Sequence, residues 1–141
     1  MKDSQRITLL ISQTLTLYRT HLHARFAQCN IDLTSEMLAV LIFLWESDGR
    51  NHHELANCLF KDKGGITKII NSLEKRGLVV RQVDAADGRN KIVKLTKAGK
   101  NMKEKVLPIR NKLLNEMTNG IGSQKLNITK QTLTDIIDRL K

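Results

Sequence analysis

From Asn51 to Thr96 the chain reads helix, three-residue turn, helix, hairpin, an order that leaves few folds open. Asn51 followed three residues later by Glu54 makes an Asn version of the capping box. It opens a short helix whose inner face is Leu55, Ala56 and Leu59. Phe60 to Asp62 form the turn. From Lys63 to Arg76 the residues Ile66, Ile69, Ile70 and Leu73 make one apolar stripe, and Gly77 stops that helix as a left-handed C-terminal glycine. Leu78–Asp84 and Lys91–Thr96 are β-rich runs separated by six residues containing Asp87 and Gly88, so a looped hairpin is expected. A helix-turn-helix followed by a basic hairpin is a device for gripping duplex DNA.

The charge distribution points to the same partner. Between Lys61 and Lys105 there are thirteen Lys or Arg against five Asp or Glu, a surplus of eight out of a formal net charge of +10. The excess is therefore local, and a local positive patch releases the counterions condensed on a phosphate backbone. A solvated lysine-rich surface has the same composition, so the motif order has to decide. Trp45, Tyr18, Phe26, Phe43 and Phe60 are all the aromatics, too few to stack a splayed single strand. Duplex is favoured.

Opposite the apolar stripe of the second helix, at about 100° per residue, Gly64, Lys68, Asn71 and Lys75 centre on the outward face, with Thr67 and Ser72 flanking them. These types suit a major groove. Lys68 reaches guanine or phosphate acceptors, Asn71 can pair bidentately with adenine, and Gly64 allows close backbone approach. Arg81, Arg89, Lys91 and Lys94 make the hairpin basic, and Arg89 at its tip is placed to enter an adjacent minor groove. Asp87 does not attract phosphate; it is expected to orient a nearby arginine or cap the turn.

Four further helices are predicted before and after this unit. Ile7, Ile11, Leu15, Tyr18, Leu22 and Phe26 recur at spacings of three and four, predicting a long amphipathic helix from about Ser4 to Cys29. Thr34 caps the next helix, in which Leu38 to Trp45 is apolar all round, as in a central helix. After Thr96 a helix runs to about Thr118, bent at Pro108, and past the break at Asn119–Gly122 Thr129 is expected to cap a last helix bearing Leu133, Ile136, Ile137 and Leu140. The apolar stripes of the first and last two helices lie outside the compact winged unit. The economical partner is the same set in a second copy, giving a two-fold homodimer on a palindromic operator.

In this order and spacing the sequence resembles the MarR family of winged helix-turn-helix transcriptional regulators. The resemblance is carried by Leu33 and Thr34, by Glu54, Leu55 and Ala56, and by Leu73 to Val79 between recognition helix and wing. Asp87 and Arg89 match the wing-tip Asp-x-Arg signature, and Leu95, Thr96 and Gly99 the step into the fifth helix. Where members commonly have a serine or threonine pair and then Thr-Arg, this chain has Gly64, Gly65, Ile66, Thr67 and Lys68; a lysine there is a point charge without a planar fork. The resemblance implies a mainly α fold with a small β-wing. A winged helix-turn-helix lobe at 33–99 is flanked by dimerisation helices at 1–30 and 100–141, all in one MarR-type domain. It also implies a dimeric regulator, usually a repressor, relieved by a small ligand or by cysteine oxidation.

Other chemistries are poorly provided for. His53 to Asn57 falls one residue short of the zinc-protease motif, because Asn57 stands where the second histidine is required, and no nucleophile motif accompanies the four histidines. An enzyme is not expected, nor a cofactor or metal. Cys58 sits among Leu55, Leu59 and Phe60 as a small apolar residue, whereas Cys29 lies at helical spacing from Arg25 and is the candidate redox position. Tyr18, His21, Arg25 and Trp45 are candidates for lining a small-molecule crevice. The longest apolar run, Leu38 to Trp45, is far short of the ~20 residues of a membrane span, so a cytoplasmic location is expected. The competing function is a winged-helix protein-interaction module without specific DNA binding; RNA binding ranks third.

Overall fold

A computed structural model describes all residues, 1–141, as six helices and a small antiparallel sheet. The chain divides into two compact units, Met1–Arg110 and Asn111–Lys141.

In the first unit, α1 (Asp3–Gln28) is followed by α2 (Ser35–Glu46), whose N-cap Thr34 accepts from the Met37 N–H at 3.1 Å. With Met37, Leu38, Val40, Leu41 and Leu44 all buried, α2 is the central helix that its all-round apolar run predicts. It packs against α3 (His52–Leu59) and α4 (Lys63–Lys75). Leu55, Ile66, Ile70 and Leu73 close this three-helix core without solvent exposure. Asn51 caps α3 by accepting from Glu54 N–H at 2.8 Å. Phe60 then turns the chain in the left-handed conformation (φ 52°), and Asp62 caps α4 by accepting from Gly65 N–H at 2.6 Å. The turn thus falls at Phe60 to Asp62, as the sequence predicts, with the Asp62 cap in addition.

Gly77, at φ 71°, ends α4, and the Leu78 N–H returns to the Leu73 carbonyl at 3.1 Å. The wing follows as β2 (Val79–Val83) and β3 (Lys91–Leu95), paired from Val79 opposite Leu95 to Val83 opposite Lys91. A two-residue strand, β1 (Arg50–Asn51), adds to the other edge of β3, giving the order β1-β3-β2. Two residues are too short to register as a strand in a sequence pattern. Thr96 Oγ1 accepts from Gly99 N–H at 3.0 Å at the start of α5 (Lys97–Thr118), which contains Pro108.

Along α1 only Leu22 and Phe26 are buried, leaving Ile7, Ile11 and Leu15 exposed. In the second unit, α6 (Ser123–Leu140) has no buried residue and exposes Ile128, Leu133, Ile137 and Leu140. Its N-cap is Gly122, not Thr129 as the sequence reading had it. Thr129 lies inside the helix and donates its hydroxyl to the Lys125 carbonyl at 2.9 Å, the i−4 bond of an interior threonine, whereas a cap would accept from an N–H further on.

Candidate nucleic-acid interface

The outward side of α4 is built by the apolar side. Because Ile66, Ile70 and Leu73 are drawn into the core, Gly64, Lys68, Asn71 and Lys75 are exposed, with Thr67 and Ser72 half-buried beside them. Thr67 donates its hydroxyl to the Lys63 carbonyl at 2.7 Å.

Asp87 organises the wing tip. One carboxylate oxygen accepts from Arg89 N–H at 3.1 Å and the other from Asn90 Nδ2 at 3.3 Å, while the Asp87 carbonyl accepts from Asn90 N–H. Of the two roles considered for Asp87, the geometry is that of a turn cap. It leaves the Arg89 guanidinium exposed. Arg89 and Lys91 line a concavity of about 740 Å³ with His52 and His53 of α3, Lys61 of the turn and Lys63 of α4. The wing tip and the start of α4 thus contribute cations to one surface, where an anionic backbone would gain from several at once.

Not every cation in the charge surplus belongs to that surface. Arg76 donates to the Asp32 carbonyl (2.9 Å), the Asp32 carboxylate (2.9 Å) and the Ser72 carbonyl (3.0 Å), tying the end of α4 to the loop before α2. Arg81 of β2 is likewise consumed inside the fold. It donates to Glu74 Oε1 at 2.8 Å, to Asn71 Oδ1, and to His52 Nε2 at 3.4 Å. A charge count cannot separate these structural arginines from Arg89. One acceptor site of the Asn71 oxygen is therefore taken and that oxygen faces the wing, an arrangement at odds with bidentate pairing to adenine. His52, beside Arg81, has its pKa lowered from the ordinary 6.5 by burial first, and then by the positive charges of Arg81, Lys63 and Lys91.

A second, smaller concavity of about 270 Å³ lies among α1, α2 and the start of the α3–α4 turn, with Leu15, Tyr18, Arg19, Leu38, Ile42 and Arg110 in its wall. Arg110 Nε is buried without a hydrogen-bond partner. Of the four crevice residues expected from sequence, only Tyr18 lines it. His21 is exposed, Arg25 is half-buried, and Trp45 is committed elsewhere, donating to the Gly99 carbonyl at 3.0 Å. Lys61 borders both concavities and forms an ion pair with Glu36 of α2. Cys29 is exposed at the end of α1, and Cys58 is half-buried, its sulfur accepting from Arg50 Nη1 at 3.5 Å. His53 pairs with Asn57 at 3.3 Å.

Three helices packed around α2, an exposed polar face on the last of them and a basic hairpin beside it define a regulator of the winged helix-turn-helix class. A family model described as MarR family matches residues 31–90. The HTH-type transcriptional regulator SarZ of Staphylococcus aureus is 32% identical over 110 residues, covering 78% of this chain and 68% of SarZ. The chain is also similar to the crystal structure of CouR from Rhodococcus jostii RHA1 bound to p-coumaroyl-CoA (TM-score 0.82, 25% identity, 94% of this chain and 92% of that one). It shares its fold with MepR in the S. aureus MepR–DNA complex (TM-score 0.83, 22% identity, 94% and 96%). The chain belongs to the MarR family, and is a transcriptional regulator rather than an enzyme.

Proposed function

We propose that the protein acts in the cytoplasm as a homodimeric repressor that occupies a palindromic duplex operator and is released by a small ligand. The observation that carries this reading is the solvent-exposed polar face of α4. Gly64, Lys68, Asn71 and Lys75 are exposed, and Arg89 and Lys91 form a cationic concavity with the residues at the start of that helix. In the proposed complex α4 enters a major groove, with Lys68 and Asn71 at base edges and Thr67, Ser72 and Lys75 beside them, while Arg89 serves the minor groove and Asp87 supports the wing tip.

Dimerisation is supported by the apolar residues left exposed on α1 and α6, among them Ile7, Leu10, Ile11, Leu17, Ile128 and Ile137. On this reading residues 33–99 form the DNA-binding lobe, and residues 1–30 and 100–141 form the dimerisation helices of one MarR-type domain. Ligand release is supported by the smaller concavity, where an apolar wall and the unpartnered Arg110 Nε favour a small molecule with an anionic or acceptor group. CouR, a protein of this fold, has p-coumaroyl-CoA bound in its crystal structure. Lys61 gives the two concavities a common side chain immediately before α4.

Selection of bound sequences from a random duplex pool tests the reading. The expected result is an enriched inverted repeat with half-sites about one helical turn, ~10 base pairs, apart. No enriched sequence, together with stable capture of a protein partner, would replace it with a protein-interaction module.

A further inference from the structure

We propose that Arg81 is a positioning residue for base readout: it holds the Asn71 amide so that Asn71 presents only its Nδ2 donor to the major groove. The inference rests on the DNA-binding reading above and specifies how its central polar residue is used.

Arg81 stands on β2, outside the recognition helix, yet its guanidinium is held from three sides. Nη1 donates to Glu74 Oε1 at 2.8 Å, Nη2 to Asn71 Oδ1, and Nε to His52 Nε2 at 3.4 Å. Glu74 and Asn71 are on α4, three residues apart and so on one side of it, and His52 opens α3. A planar fork engaged by partners on two helices has little freedom to turn. Its side chain is only 20% exposed, against 42% for Glu74.

The chemistry of the pair sets the amide's orientation. A guanidinium has donors and no acceptor, so the amide atom facing it has to be the oxygen. Nδ2 then points away from Arg81, and it makes no hydrogen bond within the chain while the residue itself is exposed. Bidentate recognition of adenine needs both amide atoms aimed at one base edge, the oxygen accepting from N6 and the nitrogen donating to N7. Here the oxygen is turned to the wing. What remains is a lone donor, which favours an edge with adjacent acceptors, N7 and O6 of guanine, and disfavours the N4 amino group of cytosine. The same fork neutralises Glu74, which would otherwise bring a bare carboxylate to the phosphate surface.

The test is selection from a random duplex pool with the full-length wild type, Asn71→Ala, Arg81→Met and Arg81→Lys, each checked for folding by thermal melting. The wild type is expected to prefer guanine at one position of each half-site by about fivefold, and Asn71→Ala to lose that preference there and nowhere else. In Arg81→Met the freed amide should move the preference at this one position to adenine. Arg81→Lys, which cannot span all three partners, should weaken the guanine preference and serves if Arg81→Met does not fold. A merely structural arginine would lower affinity for every sequence alike without moving any base preference. That result, or a wild type already selecting adenine where Asn71→Ala loses its preference, overturns the inference and leaves the DNA-binding reading intact. A wild type that enriches no sequence overturns both.

Discussion

The carbonyl oxygen of Leu78 occupies the space where a side chain at Gly99 would begin: a Cβ at position 99 would stand 2.1 Å from it. Nothing flexible is available to give way, because the obstacle is backbone at the entry to the wing. Gly99 is also bonded on both sides, donating its N–H to Thr96 Oγ1 and accepting from Trp45 Nε1 through its carbonyl. Gly99→Ala is therefore expected to destabilise the fold by on the order of 3 kcal/mol, read as a lower urea midpoint with an unchanged slope. A midpoint within error of wild type would contradict the packing at this junction.

Arg89 and Arg76 should respond oppositely to removal. Arg89 is exposed at the wing tip beside Lys91, whereas the Arg76 guanidinium is spent on Asp32 and Ser72. In a salt titration of duplex binding, Arg89→Ala should weaken affinity and reduce the log–log slope by about one per subunit, with stability unchanged. Arg76→Ala should leave the slope alone. Its cost is about 1 kcal/mol of stability, small because the Asp32 carboxylate is largely exposed to solvent. Equal slopes in both variants would remove the wing from the interface.

His52 makes stability depend on pH in a defined direction. Burial, and then the charges of Arg81, Lys63 and Lys91, disfavour its protonated form in the fold, so its pKa lies below the 6.5 of the unfolded chain. As pH falls below that value the unfolded chain takes up the proton first. The stabilisation is present above pH ~6.5 and is lost as pH falls through the lower, folded value. Denaturant midpoints measured from pH 7.5 to 5 should fall more steeply for wild type than for His52→Gln. Parallel curves, or a steeper fall in the variant, would reject the assignment.

Ile11 and Ile137 are 40% and 43% exposed on α1 and α6. A carboxylate at either should cost nothing inside the protomer but oppose burial between two of them. Ile11→Asp and Ile137→Asp are expected to lower the mass in solution from twice 16.0 kDa to 16.0 kDa and to weaken operator binding at least tenfold. A wild type that sediments at 16.0 kDa would remove the two-fold arrangement.

Much of the fold was legible in the chain because its determinants are local. Thr34 and Asn51 act as caps through the N–H three residues on, Gly77 adopts the left-handed conformation a helix stop needs, and the stripe of Ile66, Ile70 and Leu73 dictates which side of α4 faces out. Where local signals are ambiguous, the structure departs from them. Thr129 has the chemistry of a cap yet lies well inside α6, and β1 is too short to have a period.

The sequence alone determined the helix-turn-helix-hairpin order, the polar identity of the outward face of α4 and the concentration of positive charge around it, since each depends on residues a few places apart. Only the tertiary structure decided which charges are free. Asp32 and Arg76 are 44 residues apart in sequence, and Asn71 and Arg81 are ten apart across a helix end and a turn. A hydrogen bond depends on position to within a fraction of an ångström, and folding supplies that closeness between residues whose separation along the chain carries no periodic trace.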